Sequence, residues 1–478
     1  MRNIFKRFAC FIVSAVTAVT AMVVPASAVY EQKSLPNNEA ITFVDSMGAG
    51  WNLGNAFDAV NCTWLSDKLD YEMGWCKAKT TKELIKTVKA SGFKTIRVPV
   101  SWNDHVDASF NIDKKWLDRV QEVIDWCLDE KLYVILNIHH DVEKGFYYPS
   151  SAEYKTSEKY IKAIWKQLSE RFSDYGEELI FETINEPRLT GTNFEWWYDL
   201  NNTPDEAKDA LDCINRLNQT ALDTIRNAGG KNKNRYVMIP GYDTDGTKKG
   251  LCSQYFKMPT DTVKNRLIAT THIYTSKMGE FKYACNLAYD NFVSKGIPVV
   301  VGEYGLDTNG YKYGDGKASA ELLGEMVEYA RASGISTVIW DNNAKDSFQF
   351  IDRSTAKVTY QNIIDAVVKG GKPSVSSSSS GSGENTDTVK KTTKPVVKAT
   401  VGKNKVTLSW NKVEGATKYA VYRYTNGKYK TVKKSMTGTK LTIKNLKSGT
   451  TYKYIVRAYV NGKWTTLSKK NLVSVKIK

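Results

Sequence analysis

Two carboxylates close apolar runs in this chain: Glu186 in Thr183-Ile184-Asn185-Glu186-Pro187, and Glu303 in Val299-Val300-Val301-Gly302-Glu303-Tyr304-Gly305. A parallel strand buried on both faces reads as continuous Val, Ile and Leu, and α/β folds place their chemistry at the C-terminal ends of such strands. Two carboxylates brought to one rim by different strands can serve as nucleophile and as acid and base, which is what cleaving a glycosidic bond requires. Taken singly, each glutamate also fits a solvated residue that opens a loop. The histidines argue for the pair. Of four in the chain, His139 and His140 close one apolar run and His272 another, while His105 lies in a loop. Three imidazoles and two carboxylates at strand ends describe a polar pocket.

Eight strand-like runs must carry these residues: Gly48–Leu53, Thr95–Val100, Leu132–Ile138, Leu179–Ile184, Arg235–Pro240, Leu267–Ile273, Pro298–Gly302 and Ser336–Trp340. Helical periodicity fills the intervals. A capping box from Thr80 to Glu83 opens one helix that stops near Gly92. A second puts Trp116, Val120, Val123, Ile124, Cys127 and Leu128 on one face, and a third does so with Tyr160, Ile161, Ile164, Leu168 and Phe172. Strand and helix alternating eight times predict an α/β fold, a (β/α)8 TIM barrel over residues 38–371, with the fifth unit the weakest.

The ends of the chain have other compositions. Residues 1–28 have a basic start (Arg2, Lys6, Arg7), an apolar run and Ala26-Ser27-Ala28, the pattern of a signal peptide. No later apolar run reaches the roughly 18–20 residues of a membrane span, so a secreted, extracellular protein is expected. Residues 372–393 are a Ser/Gly-rich linker without packing potential. Residues 394–478 change to short alternating strands, with Asn426-Gly427 and Asn461-Gly462 as hairpin signals, and predict a small β-sandwich. The net charge of +17 is concentrated there: residues 390–478 hold 23 Lys or Arg and one acid, Glu414. Such a module suits an anionic cell-wall or polysaccharide contact, or a lysine-rich face that only solubilises. Six cysteines remain after the signal, without zinc spacing. Cys127 sits on a helical apolar stripe, whereas Cys62 and Cys76 bracket one loop and are the candidate disulfide.

The motifs, taken together, resemble glycoside hydrolase family 5. Gly50-Trp51-Asn52-Leu53-Gly54-Asn55, Arg97-Val98-Pro99, Asn137-Ile138-His139-His140, Asn185-Glu186-Pro187, His272-Ile273-Tyr274, Gly302-Glu303-Tyr304 and Trp340-Asp341 look like that family's signature series, in its order. The similarity covers roughly residues 38–370, and the opening motif is nearest the bacterial endoglucanases of subfamily 4. The resemblance implies Glu303 as nucleophile, with Arg97 and Tyr274 as its partners, and Glu186 as acid/base with His272 beside it. It further implies that Asn185 and His139 hydrogen-bond the sugar at the scissile bond, that Trp340 is the floor beneath it, and that His140 lines the adjoining subsite. The C-terminal module resembles a fibronectin type III domain, through Trp410 and the tyrosine-corner-like Leu446-Lys447-Ser448-Gly449-Thr450-Thr451-Tyr452, with Ser448 where many members have proline.

The expected function is therefore a retaining endo-β-1,4-glucanase acting on β-glucan polysaccharide as a monomer, without metal or organic cofactor, nucleic-acid partner or membrane span. The same mechanism on xyloglucan, mannan or xylan is the alternative, and a non-catalytic polysaccharide-binding protein is the alternative of another class. Loop aromatics Trp64, Trp75, Tyr147, Tyr148, Trp196 and Trp197 are candidates for stacking on sugar faces. Trp116, Trp126 and Trp165 lie on helices and are expected in the core, as are Trp410 and Trp464 in the sandwich.

Overall fold

The computed structural model describes residues 30–307, 316–345 and 347–371, and, in the C-terminal part, 395, 397–410, 413, 416–425, 428–460, 463–465 and 472–477. The predicted signal peptide, the whole of the predicted Ser/Gly-rich linker and both Asn-Gly pairs lie outside the described residues. Two compact units divide the chain between Ser378 and Ser379.

Eight parallel strands close into a barrel in sequence order: β1 Ala49–Asn52, β2 Thr95–Val98, β3 Tyr133–Asn137, β4 Leu179–Glu182, β5 Val237–Asp245, β6 Leu267–Tyr274, β7 Val299–Gly305 and β8 Ile335–Ile339. Each predicted run overlaps one of them, the weak fifth included, although β5 and β7 continue past the predicted ends to Asp245 and Gly305. Helices α1 Glu39–Met47, α2 Lys82–Ala90, α3 Lys114–Asp129, α4 Tyr154–Arg171, α5 Asp205–Asn227, α6 Met278–Asn291, α7 Gly316–Ala332 and α8 Gln361–Gly370 complete the unit, with a small hairpin of β9 Ile351–Asp352 and β10 Lys357–Val358. The predicted stripe on α3 is buried at Trp116, Val120, Val123, Ile124 and Cys127. Helix α2 starts one residue later than its capping box suggested. Thr81, not Thr80, accepts from the Leu84 N–H, and the Thr80 N–H, which Glu83 would have to meet to close the box, is held by Glu72 Oε1 at 2.8 Å.

Strand burial is continuous, yet the period of two persists inside it. Ile135, Ile180, Met238, Ile268, Val300 and Val338 form one cluster with Ala40, Phe43, Val44 and Met47 of α1, which closes the N-terminal end of the barrel. Two residues further along their strands the inward positions turn polar: Asn137 after Ile135, Glu182 after Ile180, Thr270 after Ile268. Alternate positions such as Val134, Leu136 and Phe181 join the larger cluster around the helices. The switch from an apolar to a polar layer marks the floor of the site.

The Cys62–Cys76 disulfide does not form. Both thiols are free and buried, and each points at backbone carbonyls, Cys62 Sγ at Val60 O (3.6 Å) and Cys76 Sγ at Ala78 O (3.1 Å). His105 is a packed residue, stacked on Trp116 at 3.7 Å between ring centroids, and burial lowers its pKa to about 3. Trp116 and Trp165 are in the core as expected, while Trp126 is only partly buried against it.

The second unit is a sandwich of two antiparallel sheets. β11 Val397–Gly402, β12 Lys405–Trp410 and β15 Lys440–Ile443 form one, in that order. The other runs β14 Lys428–Met436, β13 Ala416–Thr425, β16 Thr451–Val460, β17 Lys463–Trp464, with β18 Val473–Lys476 also paired to β16. Its core holds Trp410, Tyr419, Val421, Tyr454 and Val456. The tyrosine corner is present: the Lys447 N–H donates to the Tyr452 hydroxyl at 3.1 Å. Trp464 departs from expectation. It lies outside that core, half-buried against Tyr459 on the outer side of the sheet.

Candidate active site

The polar layer is organised by Arg97, buried inside the barrel on β2. Its Nη1 donates to Glu303 Oε1 (2.7 Å) and Asn52 Oδ1 (3.0 Å), its Nε to Glu182 Oε2 (2.8 Å), and its Nη2 to Asn185 Oδ1 (2.6 Å). One guanidinium therefore fixes four groups from three strands, β1, β4 with the loop that follows it, and β7. Its fork is rigid, so it sets their mutual geometry as well as their charge.

Glu303, on β7, accepts at its second oxygen from the Tyr274 hydroxyl at 2.7 Å. Glu186, four residues past the end of β4, lies 2.7 Å from His272 Nδ1 and 3.5 Å from Arg188 Nη1. His272 Nδ1 is also 3.7 Å from Glu303 Oε2. An oxygen of Glu186, His272 Nδ1 and an oxygen of Glu303 all lie within 4.8 Å of one another. Carboxyl groups at that spacing match the roughly 5–5.5 Å of double displacement and are closer than the roughly 6.5–9.5 Å that leaves room for an inverting water.

Two amides are oriented by their own partners. Because Arg97 occupies Asn185 Oδ1, the Asn185 NH2 faces the cleft beside His139 Nε2, 3.4 Å away. Asn137 Oδ1 accepts from the Val100 N–H, so its NH2 serves Glu182 Oε2 (2.8 Å) and His139 Nδ1 (3.1 Å). His139 consequently carries its proton on Nε2, toward the cleft. Asp58, His139 and His140 also cluster within 4.8 Å, but an Nε2–H on His139 makes that group a hydrogen-bonding site for hydroxyls and not a ligand set. Asp58 Oδ1 is buried without a hydrogen-bond partner. The Trp340 ring lies parallel to that of His139, within 3° and 6.0 Å apart. All nine residues anticipated from the sequence converge on this one rim.

Comparison with known proteins agrees with the geometry. Residues 56–346 match the family model of cellulase (glycosyl hydrolase family 5). The chain belongs to glycoside hydrolase family 5. It is a retaining glycoside hydrolase, as members of that family are. Residues 393–471 match the fibronectin type III domain. Endoglucanase A of Clostridium longisporum is 35% identical over 390 residues, 76% of this chain and 72% of that protein. The family 5 lichenase of Caldicellulosiruptor sp. F32, solved with cellotetraose, is 44% identical with a TM-score of 0.67, covering 72% of this chain and 98% of that one. A broad-specificity endoglucanase of subfamily 4, from Clostridium longisporum, follows at 35% identity and a TM-score of 0.62, covering 70% and 99%.

Electrostatics separate the two carboxylates of this family 5 site. Burial alone would lower the His272 pKa, but the Glu303 charge and the bond to Glu186 outweigh it and leave the imidazole raised above 6.5. For Glu186 burial acts upward, and the His272 hydrogen bond and charge overcome it and hold the carboxyl below its usual range. The two share one proton, which rests on the imidazole side of the pair. Burial and the Glu303 charge push Tyr274 well up, so it remains an O–H donor. Burial lowers His140 to about 4 and holds His139 well below 6.5, so both are neutral hydrogen-bonding groups.

Several members of the site were not singled out in the sequence. Glu182, Asn52 and Asn137 lie under the reacting groups, and Asp58 and Arg188 beside them. Glu182 had one legible signal: a lone acid inside a strand buried on both faces must have a cation, and Arg97 was the cation available. Asp341, next to Trp340, is buried and accepts from Trp51 Nε1 (3.0 Å) and the Phe350 N–H (2.8 Å), which pins the end of β8. Among the loop aromatics, Tyr147 and Tyr148 are buried packing residues and not sugar platforms. Trp64, Trp196 and Trp197 are exposed, Trp196 lies under Arg188 at 4.2 Å, and Trp75 sits 5.5 Å from His140.

Proposed function

We propose that the chain is a secreted endo-β-1,4-glucanase in which Glu303 is the nucleophile and Glu186 the acid/base. The observation that carries the assignment is the pair of carboxylates within 4.8 Å, one held by Arg97 and Tyr274 and the other by His272. In the first step a Glu303 oxygen attacks the anomeric carbon, the glycosidic C–O bond breaks, and Glu186 gives the leaving oxygen the proton it shares with His272. In the second, water attacks the same carbon, Glu186 takes its proton, and the ester to Glu303 breaks. Esterification removes the Glu303 charge that helped to raise His272, so the pair holds its proton less tightly when a base is needed. The Asn185 NH2 and the His139 Nε2–H donate to hydroxyls of the reacting sugar, Trp340 is its floor, and the unpartnered Asp58 oxygen accepts from it. Arg188 touches Glu186 and lies over Trp196, and on this reading the pair lines the aglycone path. His140 and Trp75 line the other arm.

The relatives' names support β-glucan as substrate, and the breadth implied by one of them keeps xyloglucan in view. Initial rates on carboxymethylcellulose, barley β-glucan, xyloglucan and mannan, with product anomers followed by NMR, test the reading. Fastest cleavage of a β-1,4-linked glucan with β-product first supports it. Activity confined to mannan, or an α-product first, overturns it. The basic C-terminal module is read as contacting anionic polysaccharide, with a contact weakened by salt.

A further inference from the structure

We propose that the outer face of the β14-β13-β16-β17 sheet binds a carboxylate-bearing polysaccharide, a uronic-acid chain. The inference deepens the anionic-polysaccharide reading of the module by assigning it a face and a ligand chemistry.

The argument begins with register. Tyr419 and Val421 on β13 and Tyr454 and Val456 on β16 point into the sandwich core. Residues of the opposite parity therefore share the outer face. Lys418 pairs with Tyr459, and Tyr424 with Lys453, across β13 and β16. Tyr424 pairs with Tyr429 on β14, and Tyr459 with Trp464 on β17. The outcome is two aromatic pairs on one face of the sheet, with ring centroids 4.9 Å apart for Tyr424–Tyr429 and 5.1 Å for Tyr459–Trp464. Six residues of β16 separate their register positions, a span of about 20 Å, long enough for several sugar rings. All four rings are half-buried and none belongs to the sandwich core.

The cations stand on the same surface. Lys418 Nζ lies 4.2 Å from the Tyr459 ring centroid, and the Arg457 guanidinium 5.8 Å from that of Trp464. No described residue of the module is acidic, and the 23 cations of residues 390–478 face a single carboxylate in sequence, Glu414. Among the described residues no carboxylate pairs with either cation: Lys418 lies over a ring, and Arg457 donates to the backbone carbonyls of Trp464 (3.2 Å) and Thr465. A ligand that satisfies this face must bring a negative charge and an apolar ring face in the same repeating unit. A uronate pyranose does both: its carboxylate draws Lys418 and Arg457, and its C–H face covers the rings they shade. A neutral glucan would stack but leave the cations unused. Single-stranded nucleic acid meets the same two demands, but the module is tethered to a glycoside hydrolase, where raising the local concentration of a glycan is what a linked binding domain can contribute.

The test uses the full chain in affinity gel electrophoresis, with polygalacturonate, its fully methyl-esterified form, dextran sulfate or single-stranded DNA cast in the gel. Polygalacturonate is expected to retard the protein most, and methyl esterification to abolish most of that effect. Tyr459→Ala with Trp464→Ala should weaken the retardation about tenfold, the scale of losing ring stacking. Lys418→Gln alone, which keeps the rings and the Arg457 bonds to the Trp464 and Thr465 carbonyls, should also weaken it and guards against a folding defect in the aromatic variant. Hydrolysis of barley β-glucan by all variants should stay at the wild-type rate, so failure of this proposal is distinct from failure of the catalytic one. Equal retardation by dextran sulfate or DNA, insensitive to the ring substitutions, would reduce the face to bulk charge and overturn the proposal. Unchanged retardation by the methyl ester would overturn it in favour of a neutral glycan.

Discussion

Arg97 shows how much one residue can arrange. It is buried between Glu182 and Glu303, and Asn52 and Asn185 fill its remaining donors. Removing one member of a buried, hydrogen-bonded ion pair costs about 3–5 kcal/mol. Glu182→Ala is thus expected to lower unfolding free energy by that order in urea titrations and to cut kcat, because Arg97 would reorient toward Glu303. Glu182 touches no substrate in this account, so its effect runs through positioning, and Glu182→Gln should restore part of the stability. The Glu186–His272 pair gives a prediction with a sign. His272 is raised above 6.5, so the shared proton is fully present below that raised value and lost as pH climbs through it. In His272→Asn the proton has only the Glu186 carboxyl to occupy, and the alkaline limb of kcat/KM should move to lower pH. A limb that stays in place would mean His272 takes no part in holding the proton. Glu186, Glu303 and their histidines were legible because chemistry-bearing residues interrupt apolar runs. Asn52 and Asn137 were not, because an amide in a strand carries no signal until its neighbours across the sheet are known.

At the scale of elements, the alternating period set which residues meet. The inward side of β3, β4 and β6 changes from Ile to Asn, Glu and Thr in a single step, and the reacting groups sit just beyond it. That layering follows from strand register, which sequence alone leaves open. The same limit placed Trp464 on a surface. A two-residue strand has too few positions for its parity to be read. The Cys62–Cys76 pairing failed for another reason: proximity in a loop does not aim two Cβ vectors at each other. Close approach between elements offers a test. A Cβ on Gly54 would lie 2.5 Å from the Trp340 ring. Gly54→Ala must push that ring off its place, and overpacking of this kind costs about 1–3 kcal/mol. The expected outcome is a folded enzyme with a raised KM and lowered kcat, while an unchanged KM would show that Trp340 is not the floor of the reacting sugar's site.

For the whole molecule, composition alone divides the labour. A barrel that carries the chemistry is followed by a basic sandwich without a carboxylate and histidine cluster. Helix α8 belongs to the barrel unit, and Gly371 packs so closely on Ala49 that a Cβ there would lie 2.5 Å away. A chain ended at residue 371 should therefore keep its melting temperature and its rate on soluble β-glucan, whereas one ended before α8 should not fold stably. The central claim, that Glu303 attacks and Glu186 serves as acid and base, has one direct measurement. The enzyme is inactivated with a 2-deoxy-2-fluoro cellobioside bearing a good leaving group, and the labelled peptide is sequenced by mass spectrometry. The account predicts a single fluorosugar on Glu303; a label on Glu186 would exchange the two roles and contradict it.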